Sequence, residues 1–247
     1  MIRKRRFLGL LLVAWIPFVV RAAQIYAAAN FPAASFLNVT SRTFREFLDQ
    51  QGFFVVFVTI YVGAGLIAND RRANALQIYL SKPLTRAEYV AGKLGVLMTF
   101  LLLVTWVPAV LLMFVQIMFA GSAAFLKANL FLLPAITLYS LVAVLLASFT
   151  MLGLSSLSKS GRFVGIMYAG VMFFTQAVYG VIYAVTGRTT ASWVSVSGNL
   201  AQFGDAVFRV PLRYETPILV SIGVILGLIA CSLVIIERRV RGVEVVS

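Results

Sequence analysis

The chain has 247 residues, 61% of them hydrophobic and 12% charged, and carries a net charge of +13 with no histidine and one cysteine. A soluble domain of this length would carry about 25% charged residues, and the apolar residues here fall in unbroken blocks rather than at helical or strand spacing. The composition excludes histidine-dependent hydrolysis, histidine-ligated haem and thiolate metal sites. A lone cysteine builds no disulfide framework.

Six blocks come close to the roughly 20 apolar residues needed to cross a bilayer: about 7–29, 52–68, 94–120, 128–158, 163–185 and 217–236. Their continuity lacks the alternation of barrel strands. The expected fold is therefore all-α: a polytopic membrane protein with six transmembrane helices in a single domain over 1–247, with no room for a separate soluble domain.

The first block follows Arg3, Lys4, Arg5 and Arg6 and reads either as a secretory signal peptide or as an uncleaved span. Its apolar run outlasts a normal signal core and meets no small-residue cleavage site before Arg21, which favours the span. Arg21 has two readings: it snorkels to headgroups where the span ends, or it faces an internal cavity and meets an anionic substrate. In the first outer loop, 30–51, Thr43-x-x-Glu46 has capping-box spacing, with Phe44, Phe47 and Leu48 on one face. Within the second span, Thr59 and Tyr61 are candidate pathway groups.

Residues 69–93 form the most polar stretch of the chain. Asn69 and Asp70 suit a helix start. Leu76, Tyr79 and Leu80 then give a short amphipathic face opposite Arg72 and Gln77. Pro83 stops that helix. Thr85 and Glu88 make a capping box, flanked by the Leu84–Tyr89 staple pattern, so a second helix starts at Thr85 and runs through Lys93 into the third span. A helix, a proline break and a capped helix hold a fixed shape; an interfacial anchor resting on headgroups is the plainer alternative.

Further along, Gln176, Tyr179 and Tyr183 in the fifth span join Thr59, Tyr61 and Arg21 as candidates to line a pathway, although interhelical hydrogen bonding accounts for the uncharged ones equally well. Outer loop 186–216 contains an apolar face of Leu200, Phe203 and Val207, either a lid of interfacial helices or an exit gate. Gly223-x-x-x-Gly227 in the last span permits close helix approach, within the chain or between copies.

If six spans alternate, fourteen of the 21 Lys and Arg fall on one side: the N-terminal cluster, Arg71, Arg72, Lys82, Arg86, Lys93, Lys159, Arg162 and Arg238, Arg239, Arg241. Basic residues near span ends mark the cytoplasmic face, so both termini and segment 69–93 are expected inside. The basic excess then serves orientation and anionic lipid, not nucleic acid. All eight acids, including Glu46, Asp49 and Asp205, map to expected loops or span ends, which argues against a proton- or sodium-driven relay. No P-loop motif occurs, so the chain holds no nucleotide that way.

"LQIYLSKPLTRAEYVAGK" (76–93) resembles the segment after the second span in transmembrane subunits of type-2 ATP-binding cassette exporters. The shared pattern is a charged cluster, a leucine-rich turn, Ser-Lys-Pro-Leu-Thr-Arg and a helix with Gly-Lys. The family usually has Glu and a Gly-Thr pair where this chain has Asp70 and Asn74-Ala75. The resemblance implies that residues 70–82 are a coupling helix, with Asp70, Arg71, Arg72, Leu76, Tyr79, Leu80, Pro83, Thr85, Arg86 and Glu88 as the ATPase-coupling set. It further implies a separate ATPase subunit that binds ATP and Mg, a second permease subunit (the same or a related chain), and residence in the cell's inner membrane. The expected function is a non-catalytic permease for export. The alternatives are a non-transporting scaffold or partner-gated sensory subunit, and an intramembrane enzyme, which the missing histidine disfavours.

Overall fold

A computed structural model describes residues 2–31, 39–74, 85–119 and 129–240, and no strand occurs among them. The helices are α1 (Ile2–Ala14), α2 (Ile16–Asn30), α3 (Ser41–Gly63), α4 (Ala68–Arg72), α5 (Arg86–Val104), α6 (Trp106–Phe119), α7 (Leu132–Leu157), α8 (Gly161–Thr186), α9 (Val196–Val207) and α10 (Ile218–Arg239). Among the described residues six helical stretches are long and apolar enough to cross a membrane: Phe7–Asn30, Ser41–Arg72, Arg86–Phe119, Leu132–Leu157, Gly161–Thr186 and Ile218–Arg239.

Three of these stretches are interrupted. Pro17 lacks the N–H that would continue the ladder from α1 into α2, and Gln51 Nε2 donates to the Ala14 carbonyl beside that break, at 3.1 Å. Between α5 and α6, Pro108 removes another donor, and the Thr105 hydroxyl turns back to the Leu101 carbonyl at 2.8 Å. The third break, residues 64–67, separates α3 from α4. A Cβ on Gly161 would stand 3.3 Å from Gly65 Cα, so the bare glycine lets the start of α8 press on this break.

α7 is the hub, packing on α3, α5, α6, α8, α9 and α10. Its small buried residues Ser140, Ala143, Ala147, Ser148 and Gly153 let neighbours approach closely. Gly153 sits against Ser232 of α10, with a Cβ-to-Cβ approach of 3.2 Å if alanine replaced it. Among the described residues the glycines expected to let the last helix approach a neighbour do not do so, because a Cβ on Gly223 or Gly227 would meet nothing within 4 Å.

Two local expectations are corrected. The N-cap of α3 is Thr40, boxed reciprocally with Thr43, not Thr43 with Glu46; Glu46 instead takes Arg42 and Arg21. The helix then runs unbroken through residues 41–51, which the hydropathy reading left in a loop, because their charges are paired. Likewise Asn69 starts no helix. It lies inside α4, whose N-cap is Ile67, and the chain turns out of α4 at Asn74, with φ 52°. Asparagine tolerates that left-handed geometry better than most residues.

Candidate functional site

Two places concentrate polar chemistry, at opposite ends of the bundle. One end gathers α4, the start of α5, the end of α7 and the end of α10 around Ile67, Tyr89, Leu152, Ile236 and Val240. Among the described residues it carries Arg71, Arg72, Arg86, Lys93, Arg238 and Arg239, and it is called the basic end below.

At the basic end the break between α3 and α4 exposes backbone groups that would be orphaned in an apolar setting. Ser155 of α7 meets them with one side chain. Its Oγ accepts from Ile67 N at 3.1 Å and Ala68 N at 3.0 Å, and donates to the Ala64 carbonyl at 3.1 Å. Next to it, Arg71 donates to the Ser156 carbonyl. Asp70 lies 2.7 Å from Lys93 Nζ and accepts from the Tyr89 hydroxyl at 2.8 Å. Both partners are on α5. The polar residues after the second span are therefore fastened to α5 and α7.

The box at the start of α5 forms as the spacing required. Thr85 Oγ1 accepts from Glu88 N at 3.2 Å, and Glu88 Oε2 accepts from Thr85 N at 2.7 Å. Arg72, Arg86 and Glu88 point to solvent. Leu76, Tyr79, Leu80 and Pro83 lie outside the described residues.

The far end holds what the sequence reading missed. Arg45 of α3 and Asp205 of α9 are each only 1% exposed, with Arg45 Nε 3.0 Å from Asp205 Oδ1. Asp49, one turn on from Arg45, accepts from Arg45 Nη1 at 2.5 Å and from Arg213 Nη2 at 2.8 Å. Arg213 closes the ring on Asp205 through Nε at 2.7 Å and Nη2 at 2.8 Å. Arg45 also donates to the Ala201 carbonyl and lies 4.8 Å above the Tyr139 ring. Burial works against the charged form of Arg213, but the hydrogen bonds and charges of Asp205 and Asp49 outweigh it and raise its pKa. Placing all eight acids in loops or span ends is thus corrected for Asp49, which lies well inside α3; Asp205 does lie between the last two spans, but buried on the short helix α9. The Arg45–Asp49 pair at i, i+4 was the one local signal.

Beneath the ring lies a cavity of about 270 Å³ with mainly apolar walls. Asp49 and Val56 of α3, Tyr139 and Ala147 of α7, and Gln176 of α8 line it, under the first turn of α9. Gln176 Oε1 accepts from the hydroxyls of Ser195 and Ser197, at 2.5 and 2.8 Å. Of the residues proposed for a pathway, Gln176 is the one on this cavity wall. Thr59 is fully buried in the bundle. Tyr61 stacks on Phe7 at 5.2 Å, toward α1. Tyr179 meets Tyr214 edge-on at 5.7 Å and Tyr183 at 6.3 Å. Arg21 donates to Gln24 at 2.9 Å and Glu46 at 3.2 Å, with its side chain 12% exposed, so its charge is met by Glu46 of the neighbouring helix α3.

Among the described residues no group of His, Cys, Asp and Glu is placed to hold a metal. A bundle of six membrane-length apolar helices, with an apolar cavity and a polar clasp at one end of its second span, defines a multi-pass membrane protein. The sequence profile described as ABC-2 family transporter protein matches residues 1–239, and the chain belongs to that family: it is the membrane component of an ATP-binding cassette transporter, a class that works with ATP-binding subunits. Comparison with curated proteins individually gives no match.

Proposed function

We propose that the chain is the permease subunit of an exporter of the inner membrane, paired with a second permease chain and driven by separate ATPase subunits that bind ATP and Mg. Both termini and segment 69–93 face the cytoplasm, and the ATPase docks on residues 70–88. The supporting observation is the clasp at the basic end. A docking surface transmits force only if it is rigidly tied to the spans, and Asp70, Arg71 and the Ser155 knot join α4 to α5 and α7. Fourteen basic residues on one side support the orientation.

The test is co-purification of the tagged chain with its ATPase, identified by ATP hydrolysis and peptide mass. Leu76→Asp or Tyr79→Asp places a carboxylate on the expected docking face, so the chain should still insert but lose the ATPase. Retention of the ATPase by both variants refutes the assignment. Arg71→Gln should weaken transport more than docking, because the Arg71 side chain ties α4 to α7 through the Ser156 carbonyl. Thiol labelling from outside should mark Thr190→Cys but not Ser158→Cys; the reverse pattern inverts the orientation.

A further inference from the structure

We propose that the ring of Arg45, Asp49, Asp205 and Arg213 is a latch that closes the central cavity toward the far end, and that it must part for the cavity to open there. This rests on the permease reading and adds the residues that gate the path.

The ring and the cavity share a wall. Asp49 belongs to both, and Tyr139 lies under the Arg45 guanidinium while lining the cavity. From the ring, the lining continues toward the basic end on three helices at once: Asp49 to Val56 on α3, Tyr139 to Ala147 on α7, and Gln176 back to Tyr168 on α8. At 1.5 Å per residue these stretches are about 10–12 Å long. The cavity thus runs along three helices and is bounded at its far end by Asp49 and the first turn of α9, while Phe53 of α3 and Phe173 of α8, both more than half exposed, line its side.

The cover over that end packs on α7, with Phe208 edge-on to Tyr139 at 6.2 Å, and polar bonds hold it on its other sides. Gln202 Nε2 donates to the carbonyls of Tyr214 and Thr216, at 2.9 and 2.7 Å, and Ser192 and Thr216 share a hydroxyl contact of 2.6 Å. These bonds sew α9 to the segment before α10. Gln176 ties the start of α9 to α8. Toward α3, the ring supplies the polar attachment: Arg45 on Asp205 and on the Ala201 carbonyl, and Arg213 on Asp49. Swinging the cover away from α3 requires these bonds to break.

The chemistry of the ring suits a part that opens and shuts. Two cations and two anions cancel, so the closed ring tolerates burial. For stability alone, apolar side chains at such positions serve as well or better. Parted, the four charges need water, which an opening mouth admits. Arg213 and Asp49, 39% and 30% exposed, form the wet edge from which hydration enters, while Arg45 and Asp205 form the dry centre.

The test reads access rather than transport, so its failure leaves the permease assignment standing, just as loss of the docking test would leave the latch standing. Ala143→Cys is made in a Cys231→Ser background of the full chain, in sealed membranes, and reacted with a charged, impermeant thiol reagent from the outer face. Ala143 lines the cavity and is buried, so reaction should be slow. Arg213→Gln and, separately, Asp49→Asn remove the wet-edge bridge but leave Arg45 and Asp205 paired. Each should speed labelling about tenfold, the effect of taking ~1.4 kcal/mol from the closed state, and Arg213→Lys should stay near the slow rate. Rates are read on protein with the parent's elution profile, because a purely structural role lowers recovery without changing the rate per folded molecule. Fast labelling with the ring intact, or rates unchanged in whichever variant is recovered folded, overturns the proposal.

Discussion

Ser155→Ala deletes one oxygen that serves three backbone groups. Ile67 N, in the break between α3 and α4, and Ala68 N, the first of α4, both donate to that oxygen, and Ser155 itself is 0% exposed. Water does not replace the hydroxyl there, and alanine offers no acceptor. An unsatisfied buried donor costs about 1–3 kcal/mol, so two of them cost about 2–6 kcal/mol, before any relaxation of the break. Ser156→Ala is the matched control, also 0% exposed. The Ser156 hydroxyl only donates back to the Gly153 carbonyl, at 2.7 Å within the same helix, so its removal should cost about 0.5–1.5 kcal/mol, the net value of an ordinary hydrogen bond. Reversible unfolding of the purified chain in mixed micelles, followed by circular dichroism against denaturing detergent, measures both. The expected result is a Ser155→Ala loss exceeding that of Ser156→Ala by at least ~1 kcal/mol. Equal losses would show that the break satisfies its own amides and that the knot is not what fastens the second span to α7.

The same unfolding assay checks two further expectations. Gly204→Ala would put a Cβ 2.5 Å from Arg45 Nε and 2.7 Å from Tyr139 Cε2, an overpacking cost of about 1–3 kcal/mol. Gly223→Ala meets open space and should be neutral or stabilise the chain by up to about 1 kcal/mol through helix propensity. Thr85→Ala removes a formed N-cap and should cost about 1 kcal/mol, with Thr85→Ser close to the parent; a full loss in the serine variant would place the effect outside the cap.

The residues alone determined the class of fold. Unbroken apolar blocks can satisfy their backbone in lipid only as helices, so six spans were legible without any contact being known. The Thr85–Glu88 box was legible for the same reason, since both of its hydrogen bonds join residues three apart. Only the tertiary structure decided where the charges go. Hydropathy assigns Asp49 and Asp205 to loops because each is read against its sequence neighbours, yet Arg45 and Ala201, 156 residues apart, are hydrogen-bonded. Helix α9 folds back onto α3, and each buried charge finds its counter-charge there. The Ser155 knot was hidden likewise: a serine in an apolar helix looks the same whether its hydroxyl bonds its own turn, as Ser156 does, or mends a neighbour's broken one 88 residues away. Local periodicity records which face of a helix is apolar, whereas the pairing of a buried polar group depends on what the rest of the chain brings within 3 Å of it.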